Sequence, residues 1–219
     1  MVFIKKYDIV LFDLDGTLLD TSPGVFNSVR YAEEQLGLSK CSDEELKRFV
    51  GPPPSEMYMQ VHGLSRENAE KAVAFHRVYG KEKAVYEAQK YDGMEQCLST
   101  LKKAGFRLAV TTLKAEAAAH KILEHFCLAE YFDVILGMND SETLTKADLI
   151  NKARNMLGNG KSVIVGDTIY DYKGAVDAGV DFIPVLYGFG FSSESEFEGM
   201  DNVCGVAEMP LDIVKLVIR

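Results

Sequence analysis

No apolar run in this chain is long enough to cross a bilayer, which takes about 20 residues. Cysteine is scarce: the four, at positions 41, 97, 127 and 204, stand far apart, with no CxxC pair and no histidine at zinc spacing. That argues against a disulfide scaffold and against a zinc module legible from spacing, and favours small buried apolar residues in a reducing compartment. Basic residues are in the minority, 24 Lys and Arg against 33 Asp and Glu, for a net charge of -9 and a pI near 5.0. Such a surface repels a phosphate backbone, so DNA and RNA are excluded as partners. Met1 to Lys6 reads as a short apolar patch and a lysine pair, unlike a signal peptide. The expectation is a cytoplasmic protein with no membrane partner, either a monomer or a weak homodimer. Repeats and low-complexity segments are also missing.

What is present begins with Ile9-Val10-Leu11-Phe12-Asp13-Leu14-Asp15-Gly16-Thr17. Four apolar residues form a short buried strand, and two carboxylates appear where it ends. Side chains alternate along an extended backbone, so Asp13 and Asp15 point the same way while Leu14 turns into the packing. Gly16 allows an immediate sharp turn, and Thr17 adds a hydroxyl. Two like charges this close need a cation, or one of them must hold a proton.

From Asp20 to about Lys90 the pattern is helical, with no convincing strand. Ser22-Pro23 reads as an N-cap followed by proline at the first helical position, and Gly37 as the stop. Ser42 and Glu45 form a capping box, and Gly51-Pro52-Pro53-Pro54 ends the helix that follows it. Two more helices cover Glu56 to Val61 and Ser65 to about Tyr86. From Tyr91 onward, helices alternate with apolar, β-branched strands at Arg107–Thr111, Phe132–Leu136, Ser162–Asp167 and Phe182–Leu186. That alternation indicates a parallel sheet covered on both faces. The first strand needs the same burial, so the α/β core is discontinuous: residues 1–19 and 91–219, with 20–90 a helical insertion. Ser192 to Gly199 is acidic and serine-rich, and is expected to be a solvated loop.

Ligands of an open parallel α/β sheet bind beyond the carboxyl ends of its strands. Those ends carry Asp13 and Asp15, then Thr111-Thr112, then Lys146 where a helix starts, then Gly166-Asp167-Thr168 with Asp171 four residues past Asp167. Clustered carboxylates with oxygen donors suit magnesium, while a lysine and a threonine hydroxyl suit a phosphate dianion. An aspartate nucleophile beside such a site is the arrangement for phosphoryl transfer through an aspartyl-phosphate. The four histidines, at 62, 76, 120 and 125, sit in helical segments without ligand spacing and receive no role.

Two motifs carry a resemblance. Asp13-Leu14-Asp15-Gly16-Thr17 is similar to the first motif, DxDGT, of the haloacid dehalogenase superfamily, and Gly166-Asp167-Thr168-Ile169-Tyr170-Asp171 to its fourth, GDxxxD. With a helical block between motifs one and two, the whole chain resembles the capped phosphatases of that family, of the phosphoglycolate phosphatase and β-phosphoglucomutase branch. The resemblance implies a Rossmann-like α/β core with an inserted all-helical cap, and hydrolysis of a small-molecule phosphate ester. It implies that Asp13 attacks phosphorus and that Asp15 protonates the leaving group. It further implies that Mg2+ is held by Asp13, the backbone carbonyl of Asp15 and Asp167, with Asp171 binding the ion or orienting its water shell, and that Lys146 neutralises Asp13 and the phosphoryl oxygens. For the phosphate-binding hydroxyl, seven residues counted from the Gly105 turn select Thr112, with Thr111 the alternative. Leu113 departs from the family, which more often has Asn or Ser there. The Gly51-Pro52-Pro53 turn is the expected cap loop over the site; Arg48, Arg77 and Lys81 are candidate contacts to an anionic leaving group, each otherwise a solvated cation. Two other readings stand beside the phosphatase: a phosphosugar mutase of the same fold, and a non-catalytic binding module.

Overall fold

A computed structural model describes residues 5–139 and 143–218. Five parallel strands form the central sheet: β1 (Ile9–Phe12), β4 (Arg107–Ala115), β5 (Val134–Met138), β6 (Ser162–Gly166) and β7 (Asp181–Pro184), in the order β5-β4-β1-β6-β7. The four residues of β1 are completely buried because β1 is the middle strand, paired with β4 on one side and β6 on the other. Its side chains divide by parity. Val10 and Phe12 join a cluster with α5 (Met94–Lys103), α6 (Glu116–His125) and α9 (Pro210–Val217), through residues such as Leu98, Ile122 and Ile213. Ile9 and Leu11 face the other layer, formed by α7 (Lys146–Met156) and α8 (Ile169–Ala178), where they meet Leu149, Ile150 and Ala175. Each face of the sheet thus buries a full apolar layer, the condition for an all-parallel sheet.

Between β1 and α5 lie α1 (Ser22–Leu36), α2 (Asp43–Lys47), α3 (Pro54–His62) and α4 (Arg66–Glu82). They enclose a cluster of their own, including Val29, Phe49, Tyr58, Ala72 and Val73. The block is entered and left through a two-residue antiparallel ribbon, β2 (Leu19–Asp20) against β3 (Gln89–Lys90), which a strand-free reading of 20–90 did not anticipate. Two-residue strands carry no periodicity to detect.

Four local expectations change. Ser22 is not the cap of α1 but its first residue; its Oγ and N–H both donate to Asp20 Oδ1, at 2.6 and 3.0 Å. The cap position belongs to Thr21, whose hydroxyl is used elsewhere. β4 continues to Ala115 rather than ending at Thr111, and its register with β5 shifts between those two residues: Thr111 pairs with Leu136 and Ala115 with Met138. Thr112, Leu113 and Lys114 therefore form a bulge, a device that re-aims side chains. The cysteines are not uniformly buried: Cys127 is exposed and Cys204 half-buried. Finally, the 192–199 segment is not merely solvated, since a 3-10 turn at Glu194–Phe197 drives the Phe197 ring against Phe191, with ring centres 4.8 Å apart.

Candidate active site

The carboxyl ends of β1, β4 and β6 and the start of α7 meet at one rim of the sheet. Asp13 follows β1, and its N–H still donates to Val165 O as though the strand continued. Leu14 returns to the core, and Gly16, at φ 79°, reverses the chain. A side chain at Gly16 would collide with Asp167, since an added Cβ would lie 2.2 Å from Asp167 Oδ2. The glycine of the first motif is thus required twice, by conformation and by the approach of the fourth motif.

Lys146 begins α7, whose start is fixed by a reciprocal capping box between Thr145 and Asp148. Its side chain is only 5 % exposed, and its Nζ lies 2.5 Å from Asp13 Oδ1 and 2.6 Å from Asp171 Oδ1. Asp171 is also the third residue of α8, where its Oδ2 accepts from the Thr168 N–H and hydroxyl at 3.0 and 2.7 Å. One carboxylate therefore caps a helix and pairs with the lysine. Asp167, fully buried, accepts from the Phe189 N–H at 2.8 Å and the Thr17 hydroxyl at 3.3 Å. Asp13, Asp167 and Asp171 offer oxygens that all lie within 4.8 Å of one another.

Three buried carboxylates around one ammonium leave two negative charges uncompensated. Burial, with Asp171 and Asp15 adding to it against the pull of Lys146, pushes the Asp13 carboxyl up to about 7. Burial and then the charges of Asp171 and Asp13 push Asp167 well above the usual carboxylate range. Burial opposes the charge on Lys146, but Asp13 and Asp171 outweigh it and hold the ammonium above its ordinary value. The donor set is oxygen only, hard and short of positive charge, and it fits a divalent cation such as magnesium.

Asp15 is placed differently. Its Oδ1 accepts from the Thr21 hydroxyl at 2.5 Å and from Lys114 Nζ at 2.9 Å, apart from the three-carboxylate cluster. Thr112 is buried in the β4 bulge, its Oγ1 accepting from the Lys114 N–H at 3.1 Å. The Thr111 hydroxyl is buried too, and has no hydrogen-bond partner among the described residues.

Between the helical block and the core runs a cleft of about 720 Å³, lined by Pro53, Glu56 and Arg77 on one side and by Leu113 and Lys146 on the other. The Gly51 turn lies against the fourth motif, since a Cβ there would sit 3.0 Å from Thr168 Cγ2. Of the three cations expected near a leaving group, Arg77 lines this cleft, while Arg48 bonds to Gln60 and lines a neighbouring one. Lys81 lines neither cleft and is exposed.

Three participants escaped the sequence reading. Thr21 and Lys114 hold Asp15; Lys114 had one usable signal, its position two residues beyond Thr112. The third is the Tyr187-Gly188-Phe189-Gly190 segment, whose Phe189 N–H orients Asp167. A Cβ at Gly188 would fall 2.3 Å from Asp167 Cβ, so the Gly-x-Gly pattern was the sign of a close backbone approach.

Against known proteins, the family described as haloacid dehalogenase-like hydrolase matches residues 10–185. A 5'-nucleotidase of Pseudomonas aeruginosa is 34% identical over 202 residues, covering 91% of both chains. Pyrophosphatase PpaX of Halalkalibacterium halodurans is 32% identical over 215 residues, with 96% of this chain and 98% of that one covered. Among solved structures, a predicted phosphatase from Clostridium acetobutylicum superimposes with a TM-score of 0.87 at 37% identity, covering 95% of this chain and 99% of the other.

Proposed function

The chain belongs to the haloacid dehalogenase-like hydrolases and is a phosphatase, and we propose that it hydrolyses a small phosphorylated metabolite with magnesium, through a phosphoryl group carried on Asp13. The observation that carries the proposal is the Asp13–Lys146–Asp171 contact chain beside Asp167, at the carboxyl edge of a parallel sheet. Residues 20–90 act as a cap on a core of 1–19 and 91–219, and the cleft between them receives the substrate.

Asp13 Oδ1 is held by Lys146, which leaves Oδ2 to attack phosphorus in line with the departing alcohol. Thr21 and Lys114 both hold Oδ1 of Asp15, so Oδ2 transfers the proton: first to the leaving oxygen, then from the water that cleaves the acyl phosphate. Lys146 stays paired through both steps and offsets the charge gathering on the phosphoryl oxygens. Thr112 binds a phosphoryl oxygen; its Oγ1 already accepts a bond from the Lys114 N–H, which leaves its proton to donate. Asp13, Asp167, Asp171 and the Asp15 backbone carbonyl would hold magnesium, which would supply positive charge to offset that of the phosphate.

The substrate must fit a cleft of about 720 Å³ whose walls mix Arg66 and Arg77 with Glu56 and Glu70. That suits a small ester with a polar remainder, in keeping with relatives named for a nucleotide and for pyrophosphate. The test is phosphate release from a panel of small phosphate esters and pyrophosphate, with and without magnesium. A magnesium-dependent preference for one compound, abolished by Asp13→Asn, is expected. Turnover that survives Asp13→Asn would overturn the mechanism.

A further inference from the structure

Within the helical block, a second set of metal-ligating side chains gathers apart from the three-carboxylate cluster. Glu33 lies in α1, Cys41 precedes α2, and His62 ends α3. Cys41 Sγ is 3.3 Å from His62 Nε2, and that nitrogen is 3.5 Å from Glu33 Oε1. All three donor atoms lie within 4.8 Å of one another. The side chains of Glu33 and His62 are 1 % and 4 % exposed, and Cys41 is buried.

Each donor is also held in place. Arg30 Nη1 binds Glu33 Oε2 at 3.0 Å, which turns Oε1 inward, where it accepts from the Cys41 N–H at 2.8 Å. The imidazole of His62 stacks on Tyr58 with ring centres 5.8 Å apart and planes 25° apart. A tetrahedral ion with bonds of about 2.3 Å to sulfur and about 2.0–2.2 Å to nitrogen and oxygen sets neighbouring donors about 3.3–3.7 Å apart. Within that range a nitrogen–oxygen pair spans about 3.3–3.5 Å and a sulfur–nitrogen pair about 3.5–3.6 Å; the 3.5 Å between His62 and Glu33 matches, and the 3.3 Å between Cys41 and His62 needs to open by about 0.2 Å. Unlike the all-oxygen cluster at the active site, this set pairs one sulfur with one imidazole and one carboxylate, the preference of a softer ion.

We propose that Glu33, Cys41 and His62 bind a divalent transition ion of the zinc class, at a site separate from the catalytic centre. Binding forms a bond from the metal to Cys41 sulfur and sends the thiol proton to solvent; Glu33 Oε1 and His62 Nε2 contribute lone pairs, and nothing is oxidised or reduced. The thiolate and carboxylate together match the charge of the ion, while Arg30 stays on Oε2 as an outer partner. Burial, then Glu33, pushes the Cys41 thiol up to about 12, so the metal-free protein keeps it protonated and binding releases one proton. The ion ties α1, the segment before α2 and the end of α3 together. α3 starts at the Pro54 end of the turn that lies on Thr168.

Cobalt(II) is the probe, titrated into the metal-free full chain with excess magnesium occupying the oxygen site. The expected result is a thiolate-to-cobalt charge-transfer band with tetrahedral ligand-field bands, displaced by zinc, and retained in Cys127→Ser. Cys41→Ser removes the charge-transfer band, and His62→Gln weakens binding by more than the roughly 10–100-fold that loss of an outer partner costs. Both variants keep magnesium-dependent phosphatase activity, which also shows that they fold. No charge-transfer band at saturating cobalt, or a band that persists in Cys41→Ser, overturns the proposal.

Discussion

Replacing Lys146 by methionine keeps the length of the side chain and removes the cation that, among the described residues, touches both Asp13 and Asp171. Breaking a buried ion pair from one side costs about 3–5 kcal/mol, because the remaining charge has no partner. For a chain of this size that is a fall in Tm of about 6–20 °C at pH 8 without metal. The loss depends on pH, and its sign follows from proton counting. Asp13 titrates near 7 in the folded protein against 3.8 for an unperturbed carboxyl, so between those values the native state binds more protons than the unfolded one. The contribution of Asp13 to stability therefore falls as pH rises from about 4 to 7 and is flat above. Going from pH 8 to 5.5 returns about 2 kcal/mol to the wild type, the part of that interval below 7. In Lys146→Met the pull that lowered this carboxyl is gone, so it titrates higher; protonation across the whole interval returns up to about 3.4 kcal/mol. The deficit of the variant thus narrows by up to about 1.4 kcal/mol, or roughly 3–6 °C. Scanning calorimetry in chelator at the two pH values measures it. A deficit that is equal at both, or larger at pH 5.5, would refute the charge argument.

Two further outcomes follow from the site. Lys114→Met removes a group that positions Asp15, not one that holds phosphate. kcat is expected to fall by roughly 10–100-fold with KM little changed, less than the roughly 10²–10⁴-fold of the whole proton transfer because Thr21 still holds Asp15, and steady-state kinetics separates the two constants. Gly188→Ala places a methyl group where Asp167 Cβ and Gly16 O stand 2.3 and 2.5 Å away. The magnesium concentration for half-maximal activity is expected to rise by roughly ten-fold or more, in line with other losses of metal-site support; an unchanged titration would mean that the 188 loop yields freely.

Much of the architecture could be read from residue order because it is written locally. β1 is four apolar residues bounded by a carboxylate, and the capping box at Ser42 and Glu45 forms in the structure, with both bonds present. The residues at the rim were legible for the same reason: Asp13, Asp167 and Asp171 sit in short motifs at strand ends. What escaped is contact between segments remote in sequence. Lys114 reaches Asp15 across 99 positions, and no periodicity encodes a bulge that turns three residues out of register. Cys41 and His62 are 21 positions apart with a helix and a proline turn between them, so a search for metal spacing could not pair them. Thr21 was overlooked because its neighbour Ser22 looked like the better cap; a hydroxyl drawn to Asp15 leaves the helix start to be held by Asp20 through Ser22.

The ribbon of Leu19–Asp20 with Gln89–Lys90 holds the two ends of the helical block side by side. Asp20 and Gln89 are directly paired across two antiparallel strands, so the chain leaves for 68 residues and returns to the position opposite its exit. Antiparallel neighbours are the geometry that a two-residue hairpin turn closes. Deleting residues 21–88 and splicing Asn-Gly in their place would therefore rejoin the sheet domain without moving either strand.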